Sequence, residues 1–172
     1  MDRPPPPPIP KQADERTMLL AFLDNYRADL LDRAWGLDAT QLQQTLPPSS
    51  LSIGRLLSHM AMVEYNWFKV RLDGEEMHEI FSSLDWDADR DAEMTLSSTM
   101  SVDELVTLYK DAIADSDARI AAADSLDQLS TTGRDGEPWS LRWILIHMVE
   151  EYARHCGHAD LIRESIDGDV CE

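Results

Sequence analysis

Apolar residues recur at three- and four-residue intervals in four separate stretches of the chain, the repeat expected of helices with one buried face. From about Lys11 to Trp35 the set is Leu19, Leu23, Tyr26, Leu30 and Ala34, with Asp24, Asp29 and Arg33 elsewhere on the wheel and Gly36 as the stop. A brief helical turn follows Asp38, and Pro47-Pro48 closes that link. A serine cap before Ile53 opens a second helix, in which Ile53, Leu56, Met60, Val63, Trp67 and Val70 share a face up to Gly74. Ser101 followed by Glu104 is a capping box, after which Val102, Leu105, Tyr109, Ala112, Ile113, Ser116 and Ile120 trace a third helix. Ser140 caps a fourth, which runs to about Ile166 and stops before Gly168.

The remaining segments lack a sustained period. Residues 75 to 100 are rich in Asp, Glu and Ser and read as a long connection with one or two short helical turns around Met77 to Leu84. Connections of that length inside a domain tend to carry function. Phe81 and Trp86 either fold back as a lid or wall, or plug the open side of the core. The segment 124–139 reads as a polar crossover, and no period-two run appears anywhere in the chain. The pattern predicts an all-α four-helix bundle, with the long links after the second and third helices leaving room for crossover connections. There is no internal repeat.

Composition adds limits. A length of 172 residues suits one domain with a real core, here residues 12–172, behind a proline-rich arm over residues 1–11 that reads as a flexible polyproline II leader. Against 15 basic residues stand 33 acidic ones, a formal charge of −18, so nucleic acid and anionic membranes are poor partners. Cys156 and Cys171 make no disulfide framework, and a reducing, cytoplasmic setting fits. No stretch is long and apolar enough to span a bilayer.

The chemistry concentrates in the fourth helix. At about 100° per residue, His147, Glu151, His155 and His158 fall within an arc of roughly 80°, the arc that also carries Ile144, Met148 and Ile162. A carboxylate on a core-facing stripe needs a positive partner, and a metal ion is the simplest. Residues i and i+4 share a face, so Glu151 and His155 can reach one ion, and a third ligand must come from a facing helix. His59 is the only histidine on the second helix, although a single histidine at such a position is more often a core or boundary residue than a ligand. Two imidazoles and one carboxylate suit zinc, with nickel or iron as competitors, and three protein ligands leave an open position. His147 reads as a fourth ligand, as a partner orienting Glu151, or as a histidine bonded to backbone. His158 either replaces His155 as ligand or lines the site. Cys156 points about 100° away from His155 and is set aside. Glu64, Trp67, Trp139 and Trp143 read as packing or helix-surface residues.

The segments SIGRLLSHMAMVEYNWF and SLRWILIHMVEEYARHCGHADLIRE resemble the DinB-like superfamily of four-helix metalloproteins, with matching spacing from about residue 12 onward. The resemblance implies that His59 and the pair Glu151 and His155 hold the metal. Glutamate at position 151, where many members carry histidine, is similar to the branch of mycothiol-dependent maleylpyruvate isomerase and related thiol transferases. It also implies a crossover bundle and a homodimer. The expected function is therefore a metal-dependent enzyme that sets a low-molecular-weight thiol on a small electrophilic molecule, with His147 and His158 orienting ligands or moving protons. The rival readings are a metal-dependent hydrolase, told apart by turnover without thiol, and a non-catalytic metal-binding or interaction module.

Overall fold

In the computed structural model, which describes residues 5–170, each of the four long helices begins where a side-chain oxygen accepts the third backbone N–H. Asp14 caps α1 (Glu15–Arg33), Ser52 caps α3 (Ile53–Glu64), Ser101 caps α6 (Val102–Ala122) and Ser140 caps α7 (Leu141–Asp167). At the far end of α7, Gly168 takes the left-handed conformation, with φ 78°, that terminates the helix. Short helices α2 (Ala39–Leu42), α4 (Glu79–Ser82) and α5 (Ala92–Leu96) lie in the links. Among the described residues no helix is long and apolar enough to cross a membrane.

Side-chain pairs give the helix directions. α1 and α7 are parallel: Glu15 meets Arg142 near their starts, the Cys156 thiol approaches the Tyr26 carbonyl midway, and Arg33 meets Asp160 near their ends. α3 runs against α7, since His59 faces His155, Glu64 faces Tyr152 and Trp67 faces Trp143. α6 runs against α1, with Arg16 donating to the Ile120 and Ala123 carbonyls and Tyr109 donating to the Arg27 carbonyl. α3 and α6 therefore point the same way. A helix of some twenty residues is about 30 Å long, so the chain between them has to retrace the bundle. The expected crossover is this link, which carries α4, α5 and a 3-10 turn at Ser97–Thr99.

Three expectations are corrected. The segment before α7 is not a plain polar crossover: β1 (Leu129–Arg134) and β2 (Glu137–Ser140) form an antiparallel hairpin. Its turn residues Asp135 and Gly136 have φ 54° and 84°, the two positive values of a type I′ turn, and this turn chemistry outweighs the weak alternation of the flanking residues. The hairpin docks on the end of the second long helix, where the Thr131 and Thr132 hydroxyls donate to the Arg71 carbonyl at 3.4 and 3.2 Å. Secondly, that helix does not stay α-helical to Gly74. From Tyr65 to Leu72 it is a π-helix, whose wider turn rotates the buried face. Tyr65, Phe68 and Leu72 are buried there, while Trp67 and Val70, expected in the core, are only partly covered.

Thirdly, Glu64 is neither ordinary packing nor helix surface. It is 0 % exposed. Arg27 donates to its two oxygens from Nε and Nη2 at 2.7 and 2.8 Å, and the Tyr152 hydroxyl donates to Oε1 at 2.8 Å. Tyr109, buried beside them, bonds the Arg27 carbonyl at 3.0 Å. This polar knot ties α1, α3, α6 and α7 together within a core of Leu23, Leu30, Leu56, Met60, Ile144 and Met148. Phe81 is the plug of the two alternatives raised for the link, fully buried, whereas Trp86 lies at the surface with its Nε1–H donating to the Phe81 carbonyl at 3.2 Å. From Pro5 onward the proline arm lies near α1, Asn25 Nδ2 donating to the Pro7 carbonyl at 2.9 Å. Cys171 and the first four residues of the arm lie outside the described residues.

Candidate functional site

Positions 143, 147, 151 and 155 follow one another at one-turn intervals on α7 and give a stripe of Trp143, His147, Glu151 and His155. The stripe lies on the flank of the core-facing surface rather than at its centre. Only His155 among these four is buried, at 8 % exposure, while the side chains of His147 and Glu151 keep 21 % and 18 % of theirs. The centre of the buried face belongs to Ile144, Met148, Tyr152, Ala159 and Ile162. Glu151 is thus less deeply buried than its place on an apolar wheel implied.

Antiparallel packing of α3 brings His59 across from this stripe. The His59 and His155 rings stand edge to face with centroids 5.1 Å apart. Two imidazoles bound to one tetrahedral ion at about 2.0–2.1 Å put their centroids about 5 Å apart, so the spacing fits shared coordination. His155 Nε2 is 3.5 Å from Glu151 Oε2. That is long for a hydrogen bond but close to the edge of roughly 3.3–3.4 Å between two donors on such an ion. The other nitrogen of His155, Nδ1, faces His158 Nδ1 at 3.4 Å, so His158 stands behind His155 and is placed to orient its ring. His147 Nε2 lies 3.6 Å from Glu151 Oε1, and its Nδ1 lies 3.5 Å from Glu150. Burial, then the neighbouring His59 and His158 rings and Arg154, pushes the His155 pKa down to about 4. It is neutral at pH 7, the state in which imidazole donates a lone pair. The donor types, and the His59–His155 and His155–Glu151 spacings, fit a divalent ion. As the side chains stand, no group of three or more His, Cys, Asp or Glu among the described residues forms a ready metal cluster.

An aromatic wall extends the stripe toward the hairpin. Trp143 stacks on His147 with centroids 5.0 Å apart, and Trp67, turned outward in the π-helical segment, packs edge-on against His147 at 4.7 Å. Trp139, delivered by β2, closes on Trp67 at 5.2 Å, and the Arg71 guanidinium lies 5.9 Å from the Trp139 ring centre. The tryptophans pack against one another and against His147, a candidate site residue.

Cys156, set aside by its direction, is buried on the side of α7 that faces α1, where burial and Asp29 push its thiol pKa up to about 12. One residue near the site went unread in the sequence. Glu93 of α5 places Oε1 3.0 Å from His59 Nδ1. An apolar cavity of about 420 Å³, bordered by Leu31, Trp35, Leu37, Val102 and Val106, lies between the end of α1 and the start of α6, and none of the histidines lines it.

The all-α bundle is consistent with the DinB-like superfamily, to which the family matched by this chain belongs. Within that superfamily the chain belongs to the mycothiol-S-transferase family, whose model matches residues 18–168. A search of functionally curated proteins finds no match. Membership makes thiol transfer to a small molecule the kind of function this chain performs.

Proposed function

We propose that the chain is a metal-dependent S-transferase, in which His59, Glu151 and His155 hold a divalent ion, zinc being the best suited, and the thiol of mycothiol is set on an electrophilic small molecule. The observation that carries the reading is the meeting of His59 with the Glu151 and His155 pair across α3 and α7, at spacings that suit shared coordination. A divalent ion with an open position supplies a lowered pKa for a bound thiol, and so a thiolate at neutral pH. Two neutral imidazoles and one carboxylate leave a centre of about +1 charge, which favours an anionic fourth partner. Glu151 keeps part of its surface, so its carboxylate can turn toward the ion while His147 steadies its other oxygen. His158 holds the His155 ring from behind. His147 is also the imidazole placed to take the thiol proton, with the adjacent tryptophans shielding that side of the site from water.

The test is thiol conjugation by purified protein loaded with zinc, together with metal content after dialysis. His155→Ala is expected to lose bound metal and to lower turnover by at least a hundredfold. Undiminished conjugation with stoichiometric metal in that variant refutes the ligand set. Turnover of an ester or amide without added thiol supports hydrolysis instead.

A further inference from the structure

The crossover link carries a carboxylate with no evident structural purpose. Glu93 is 5 % exposed, and its Oε1 lies 3.0 Å from His59 Nδ1. Its second oxygen, Oε2, is buried with no hydrogen-bond partner. The residue is also tied to α3 through its backbone, because the Ser58 hydroxyl donates to the Glu93 carbonyl. A buried carboxylate left half-satisfied weakens the fold compared with an uncharged replacement, and such violations of local consistency concentrate at functional sites.

We propose that Glu93 is the positioning residue of the metal centre. It accepts the Nδ1–H of His59 and so fixes the tautomer in which Nε2 carries the free lone pair. An imidazole with its proton on Nε2 cannot ligate through that nitrogen, and a carboxylate at Nδ1 removes the alternative. The two ring nitrogens point in widely divergent directions. A group seated at Nδ1 is therefore an outer partner of the ring, not a further ligand to an ion at Nε2. The negative charge also makes the ring a stronger donor. The Ser58 contact holds α5 against the turn of α3 that bears His59, so the ring is fixed from its own helix and from the link at once. His158 stands to His155 as Glu93 stands to His59, at Nδ1 in both cases, but as an imidazole instead of a carboxylate and at a longer distance of 3.4 Å. The inference rests on the proposal that His59 binds the ion.

The experiment compares the full chain with Glu93→Gln, Glu93→Ala and His59→Ala. Three readouts are taken: zinc affinity by competition with a chromophoric chelator, the ring-nitrogen NMR shifts of His59 in metal-free protein, and the metal-free melting temperature. In the parent protein His59 is expected to carry its proton on Nδ1. Glu93→Ala shifts it toward the other tautomer and weakens zinc binding by about 10- to 100-fold. Glu93→Gln, which keeps an acceptor oxygen and the volume of the side chain, loses less than Glu93→Ala. Neither variant lowers the metal-free melting temperature, which a purely structural His59–Glu93 tie would do. Zinc affinity in Glu93→Ala within twofold of the parent, alongside lost binding in His59→Ala, overturns the role of Glu93 and leaves the metal site standing. A parent His59 protonated on Nε2 overturns it as well. Full zinc affinity in His59→Ala overturns the metal reading itself, and the role of Glu93 with it.

Discussion

Replacing Arg27 by methionine is the most searching perturbation of the fold, because it removes a charge and leaves its partner where water cannot reach it. Glu64 is 0 % exposed and takes two charge-assisted hydrogen bonds from Arg27, at 2.7 and 2.8 Å, with only the Tyr152 hydroxyl besides. Breaking a buried pair by deleting one partner costs about 3–5 kcal/mol, a large share of the roughly 5–15 kcal/mol that holds a domain together. Glu64→Gln is milder. Arg27 then keeps Asp24 and Asp117, whose side chains are 51 % and 54 % exposed, and the cost falls to about 1–3 kcal/mol. Urea unfolding at pH 7, followed by helical circular dichroism, measures both singles and the double variant. The double variant is expected to be more stable than Arg27→Met alone, because the stranded charge has gone. A loss of under about 1 kcal/mol for Arg27→Met, or a double variant whose loss equals the sum of the singles, refutes the buried-pair account.

Other consequences are simpler to read. Desolvation raises Tyr109 and Tyr152 well above the usual 10.0 and Tyr65 to about 12. The folded state therefore favours the neutral phenols, and the stability they contribute, intact below about pH 10, is lost as pH rises beyond it. In a Tyr26→Phe background, phenolate absorbance at 295 nm should stay low at pH 10 until the protein is unfolded, and ionisation near pH 10 in that folded variant speaks against the burial of these three. Cys156, with its pKa near 12, is expected to resist a thiol reagent at pH 8 in a Cys171→Ser background until denaturant is added, and rapid labelling contradicts its placement against α1. Gly136→Ala meets no atom within 4 Å but must hold φ +84°, so a loss of about 1–2 kcal/mol in urea unfolding is expected. Gly136→Asn is expected to lose less. Equal stability of the alanine variant refutes the type I′ turn.

Three of the four long helices announce themselves twice, by a serine cap and by a 3.6-residue repeat, while the first shows only the repeat and the Gly36 stop, its Asp14 cap going unread. The same periodicity put Glu151 and His155 on one face and picked out His59. What stayed hidden depends on tertiary context. Glu64 read as a packing or helix-surface residue and Arg27 went unremarked, and only their meeting across 37 positions makes them core. The π-helical segment keeps helical composition, so nothing in the apolar pattern marks where the buried face rotates away from Trp67 and Val70. The hairpin did leave a signal, Asp135-Gly136, which was masked because its strands are short, largely exposed and weakly alternating. Glu93 sits in the segment that lacks a period, where a carboxylate looks like solvated loop.

These hidden features and the visible site belong to one geometrical problem. His59 and His155 are 96 positions apart in the chain, and their spacing is only as good as the register of α3 on α7. The buried bond from Tyr152 to Glu64 fixes that register about one turn from each histidine, with Arg27 supplying the charge that lets Glu64 be there. Since α3 and α6 run in the same direction, the link between them must return along the bundle, and its path takes α5 past the middle of α3, where Ser58 and His59 meet Glu93. A simple up-and-down bundle would turn directly from the second helix into the third and would have no segment to place there. The parallel pair thus accounts both for the length of the link and for the presence of a buried carboxylate behind His59.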